Sequence, residues 1–201
     1  MRRLTAFGRD CSGATAVELG LLAPIVFTGV LGIVDLGVYV WDWNDAHQAV
    51  RMAARLAATS DPVSSDLTAM TGLETGAAVG SPALAYTRVC STSCSGGAFD
   101  ASARSRIFYG PGSAACGDAD TRGEAGLCDS LTRATINQMT ITYRDSGVDT
   151  AGAEGALRPL ITVELTAVPS RSVLLSKTLP VLATLPAVRA TTLAEDLRST
   201  S

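Results

Sequence analysis

The chain has 201 residues, a formal net charge of −3, 47% hydrophobic residues and 17% charged ones. That balance leaves no basic footprint for nucleic acid. One histidine, His47, and one lysine, Lys177, leave little for acid–base chemistry, and the length holds one membrane helix plus one domain of roughly 140 residues.

At the N-terminus, Arg2, Arg3, Arg9 and Asp10 form a short basic leader that ends at Gly13. Glu18 follows five residues after that glycine, and the 23 residues Leu19–Trp41 then carry one charge, Asp35. As a helix this run reaches roughly 35 Å, enough to cross a bilayer core with some tilt. Helix is the form in which a single span satisfies its own peptide groups in hydrocarbon. A buried helix of a soluble domain rarely runs this long without a polar face. Asp42 and Asp45 follow the span, and no basic residue appears until Arg51. The asymmetry predicts a cytoplasmic N-terminus and an extracytoplasmic bulk, with Tyr39, Trp41 and Trp43 at the outer interface. An ordinary secretory signal would carry its small-residue cleavage site after the apolar run. Here Ser12-Gly13-Ala14 precedes it, and Asp-Trp-Asn-Asp-Ala follows it.

A glycine, an acid at the fifth position after it and a membrane-length apolar helix form the layout of a type IV prepilin. The segments GATAVE, LAPIVF and GIVDLG resemble the TadE-like family more closely. The resemblance is strong over residues 8–60 and implies a pseudopilin-like component of a tight-adherence (Flp, type IVb) pilus system. It implies cleavage between Gly13 and Ala14 by a prepilin peptidase, and pairing of the Glu18 carboxylate with the new N-terminal amine of a neighbouring pilin-like subunit. A carboxylate in a low-dielectric setting needs such a partner. Asp35 lies about 9 Å below Trp41 on a regular helix and reads as a helix-contact or interfacial residue. Pro24 removes one backbone bond and is a site for a kink.

Asn44–Thr59 is rich in strong helix formers. Ala46, Ala49, Val50, Ala53, Leu56 and Ala57 make an apolar stripe at helical spacing, to pack on the domain's own sheet or on other helices of a filament. Its end, AARLAAT, also resembles the family's Ala/Arg-rich helix end. Asp61-Pro62 stops the helix. From 61 to about 130 the chain reads as irregular, with candidate elements at Ser65–Leu73 (helix) and Leu84–Cys90 (strand).

Of five cysteines, Cys11 falls in the leader, leaving Cys90, Cys94, Cys116 and Cys128. An even number in an extracytoplasmic domain points to two disulfides tying a long loop. Three pairings are possible and sequence does not choose between them; the local one, Cys90–Cys94 with Cys116–Cys128, is slightly preferred. The spacing C-x3-C then C-x11-C, with no histidine nearby, fits zinc poorly.

The last third reads as β. Ala134–Arg144 ends in alternation. Leu160–Val168 alternates more cleanly, with Ile161, Val163, Leu165 and Ala167 on one face, as a half-buried antiparallel strand does. Val181–Leu185 and Val188–Leu193, bounded by Pro180 and Pro186, read as two further strands. The closing LPVLATLPAVRATTLAED also resembles the family's C-terminal end.

The expected fold is therefore α+β: a leader over 1–13, a transmembrane helix continuing into an extracytoplasmic helix over 14–60, and a pilin-like antiparallel-sheet domain over 61–201. His47 reads as a helix-surface residue. No G-x-S-x-G motif or phosphate loop is present, so the chain reads as a non-enzyme without cofactor, metal or small-molecule substrate. Its expected partners are the membrane, a prepilin peptidase and other pilin-like subunits, and its expected place is the cytoplasmic (inner) membrane in a single pass or a pilus. The alternative is a membrane-tethered extracytoplasmic binding or adhesion domain whose anchor is never cleaved.

Overall fold

The computed structural model describes residues 12–117, 124–152 and 157–194. Arg2, Arg3, Arg9, Asp10, Cys11 and the tail Glu195–Ser201 lie outside the described residues. The chain is α+β: one long helix, α1 (Ser12–Thr59), followed by four strands in a single antiparallel meander, β1 (Thr87–Cys90), β2 (Met139–Arg144), β3 (Leu160–Leu165) and β4 (Val188–Leu193). Three short helices, α2 (Ala101–Tyr109), α3 (Leu127–Ser130) and α4 (Leu174–Thr178), fill the connections.

α1 runs for 48 residues and continues through Pro24. The Thr28 hydroxyl donates to the Pro24 carbonyl at 2.7 Å. Ahead of Asp35 the helix stands clear of the rest of the chain, with Leu19, Ile25, Phe27 and Ile33 exposed. Its second half is the spine of the core. Ala46, Ala49, Val50, Ala53 and Ala57 are fully buried, and Ala54 and Ala58 nearly so. This stripe packs on the chain's own β3 and β4. Leu56 is half-buried, and Arg51 and Arg55 stay exposed on another face. Small side chains let the helix backbone approach the sheet closely, and larger ones would overpack it.

From the sheet, Met139, Ile141, Tyr143, Ile161, Val163, Leu165 and Val188 complete the core. The pairing sets Ile141 opposite Val163 and Tyr143 opposite Ile161. The other face carries Thr140, Thr142, Thr162 and Glu164, and Thr162 shares a hydroxyl hydrogen bond with Thr191. Tyr143 ties sheet to helix: its buried hydroxyl accepts the Val63 N–H at 3.0 Å, just past the end of α1. Burial pushes the Tyr143 hydroxyl up, only partly offset by that N–H, so it stays a neutral phenol.

Several expected elements are shorter or different. Ser65–Leu73 is not one helix but two 3-10 turns, Ser65–Thr68 and Leu73–Thr75. They are separated at Gly72, whose φ is +80° and whose added Cβ would meet Ala83 and Ala151 at 3.2 Å. The first strand begins at Thr87 rather than Leu84. Ahead of it, Pro82 makes an isolated bridge to Thr150. Ile136–Gln138 forms a 3-10 turn, so β2 starts at Met139. β3 ends at Leu165, because Ala167 turns to φ +56°. Ala167 is therefore exposed, and Val168 takes the buried position. Val181–Leu185 is not a strand. Pro180, with no N–H to donate, opens a 3-10 turn over Pro180–Leu182, and only Thr184 bridges, to Pro169. α4 occupies a stretch with no assigned element.

The stretch 91–128, read as loop, contains α2. Asp100 caps it by accepting the N–H groups of Ser102 and Ala103, and Ala103, Ile107 and Phe108 pack into the core.

The Tyr143–Val63 bond makes a stability prediction. Tyr143→Phe leaves a buried N–H without its partner and should cost about 1–2 kcal/mol. Urea unfolding of the detergent-solubilised protein should show a lower midpoint with an unchanged slope.

Candidate functional site

Two aspartates of α1 join the apolar helix to the domain. Asp35 and Asp42 stand fourteen and seven residues before Ala49, so all three share one helix face. The carboxylates therefore continue the buried stripe toward the membrane-length half.

Asp42 is fully buried. Its Oδ2 accepts from Arg133 Nη1 at 2.8 Å and from the Arg171 backbone N–H at 2.7 Å, and its Oδ1 accepts from Arg171 Nε at 2.8 Å. Arg171 Nη2 also reaches Asp45 at 3.6 Å. Burial pushes the Asp42 carboxyl up, but the bonds from Arg133 and Arg171 outweigh it and hold it below the ordinary carboxylate value. Two segments distant in sequence, one before β2 and one after β3, are thus pinned to a single point on the helix.

Asp35, two turns earlier, is 8% exposed. Its carboxylate accepts from the Ser172 hydroxyl at 2.8 Å and from the N–H groups of Val173 and Leu174 at 2.9 and 3.1 Å. Ser172 Oγ in turn accepts the Ser176 N–H at 3.2 Å. The structure therefore places Asp35 in a helix contact within the chain, against the start of α4. Trp41 and Trp43 are exposed beside this junction, and His47 meets Trp43 edge-on at 5.2 Å.

The other sequence-derived residues lie elsewhere. Gly13 and Ala14 are in the first turn of α1, and Glu18 is exposed one turn further on. These are far from the Asp42 junction: Glu18 and Asp42 are 24 residues apart on one helix, about 36 Å. Cys90 is bonded to Cys94 and Cys116 to Cys128, with Cα separations of 4.1 and 5.4 Å. The first bond closes a tight turn after β1, and the second holds the loop after α2 to α3. Arg133 and Arg171 were not singled out by sequence. The signal available for their partner was phase, since Asp42 falls on the face of the alanine stripe.

The fold defines an α+β protein with one long N-terminal helix whose first part is apolar and exposed, the plan of a single-pass membrane protein. Residues 13–55 match the sequence model for TadE-like protein, so over this helix the chain is similar to the TadE-like family. No curated protein and no solved structure matches the chain.

Two predictions follow from the junction and the cross-links. Because Asp42 titrates lower in the folded state, its contribution is present above its unfolded value and is lost as pH falls through the folded one. Asp42→Asn should therefore lower stability at neutral pH and flatten its fall below the ordinary carboxylate range; thermal melts from pH 7 down to acid read both. Removing the Cys116–Cys128 pair as a double serine variant should cost ~3 kcal/mol, against ~2 kcal/mol for Cys90–Cys94, since the longer loop restrains the unfolded chain more. Thiol counting of the denatured, unreduced protein should find neither pair free.

Proposed function

We propose that the protein is a non-enzymatic, pseudopilin-like membrane component that acts in assembly or priming of a tight-adherence (Flp, type IVb) pilus. The observation that carries this reading is α1. It runs unbroken from Ser12, presents Glu18 exposed near its start, and lies almost wholly within the TadE-like match. In this reading a prepilin peptidase cuts between Gly13 and Ala14 on the cytoplasmic side. The remaining helix stays in the inner membrane, with the disulfide-bonded domain on the oxidising side. Glu18 then meets the freed amine of Ala14 on a neighbouring pilin-like subunit. In a low-dielectric setting that pairing offsets much of the cost of holding either charge alone.

N-terminal sequencing of the membrane-extracted protein, with the peptidase present, should begin at Ala14. Gly13→Val should leave the precursor. Glu18→Ala and Glu18→Gln should both insert and be cut, yet recover fewer pilin-like partners on co-purification and fewer surface pili. A wild-type chain still beginning at Met1, or normal piliation in both Glu18 variants, would replace this reading with the uncleaved, tethered binding domain.

A further inference from the structure

The connection from β3 to β4 makes an excursion over Val173–Val181 that the core does not explain. Val173, Leu174, Leu179 and Val181 are all exposed, Val181 at 78%. The single charge in the excursion is Lys177, the lone lysine of the chain. An exposed apolar segment in a small domain calls for a cover. Its position says which. Asp35 holds Val173 and Leu174 by their backbone N–H groups, six residues, or about 9 Å, below Trp41 on the helix. There α1 itself exposes Ile33, Val34 and Leu36. The excursion thus begins on the apolar surface of the membrane helix, on the bilayer side of the exposed tryptophan.

Hydrocarbon would not accept this segment. Lys177 and the irregular backbone on either side of α4 would be stranded there. Water would not favour its four apolar side chains. The headgroup region satisfies both, with the apolar residues at the acyl boundary and Lys177 extended to lipid phosphate. The helix has room for the offset, since the 19 residues Ala16–Val34 span about 28 Å, close to a hydrocarbon core.

We propose that Val173–Val181 is a second membrane-contacting element, seated in the headgroup region of the leaflet from which α1 emerges, so that the domain rests on the lipid surface rather than standing off it. The proposal rests on α1 being a membrane span.

The test uses the full chain with Cys11→Ser and both disulfides intact, in vesicles of phosphatidylcholine and phosphatidylglycerol. One added cysteine carries a bimane label: Val181→Cys, Val148→Cys or Val30→Cys. Val148 is 75% exposed and lies in the β2–β3 connection, at the opposite end of the sheet from the β3–β4 connection. A nitroxide on the lipid headgroup should quench the label at 181 several-fold more than at 148, and aqueous iodide should do the reverse. A deep acyl-chain nitroxide should quench the label at 30. If 181 behaves like 148 while 30 is quenched, the domain stands clear of lipid and the proposal is wrong. If 181 is shielded from both iodide and lipid nitroxide, a protein covers it and the proposal is again wrong. If 30 escapes lipid quenching, the span reading fails and takes the proposal with it.

Discussion

The buried carboxylate of Asp42 is the constraint around which the domain is arranged. An ionised group with no exposed surface must find donors on every side, and here three arrive from two directions. Arg133 comes from the segment between α3 and β2, and Arg171 brings both its side chain and its own N–H from the segment after β3. Supplying them fixes both segments to the helix at once, and with them the end of the sheet nearest the membrane. Hydrogen bonds from fixed donors leave little freedom of rotation, so the charge network sets the angle at which the domain meets the helix in a way that apolar contact alone does not. The geometric effect follows from the bonds themselves.

At the far end the helix and sheet meet through a neutral contact, the Tyr143 hydroxyl on the Val63 N–H. Between the two lies the alanine face. Helix α1 therefore changes chemistry along its length: mostly apolar and exposed up to Val34, acidic and buried at Asp35 and Asp42, small and close-packed from Ala46 to Ala58. Each part has its own partner, and no break in the helix is needed to pass from one to the next.

Much of this was legible in the sequence. The length of α1, its alanine stripe and the boundaries of β4 follow from periodicity, and the alternation of Ile161, Val163 and Leu165 marks the core face of β3. What was not legible fell into two kinds. Short 3-10 turns and the five-residue α4 are too brief to show a period. Ala167 left the strand through a positive φ that no side-chain pattern marks. The other kind was polar. Asp100 before Ala-Ser-Ala-Arg is a helix-cap signal that sat unread inside a glycine- and serine-rich stretch. Asp42 was weighed only as a charge beside the membrane. Its burial could be read only by noticing that it keeps phase with Asp35 and Ala49, and its arginine partners lie about a hundred residues away, where local pattern carries no information.

That distance has a consequence for the order in which the chain acquires its structure. Asp35 meets Ser172 across 137 residues and Asp42 meets Arg171 across 129. Both carboxylates are made early, on a helix that can form as soon as it is synthesised, while Arg133 follows 91 residues after Asp42 and the donors from Arg171 to Leu174 come near the end. Until β3 and the segment after it exist, Asp42 has no reason to leave water and the alanine face has no sheet to cover it. Contacts so far apart in sequence form slowly, because the intervening chain must be closed first. The domain is thus built to assemble late and nearly at once, with the last third of the chain as the trigger.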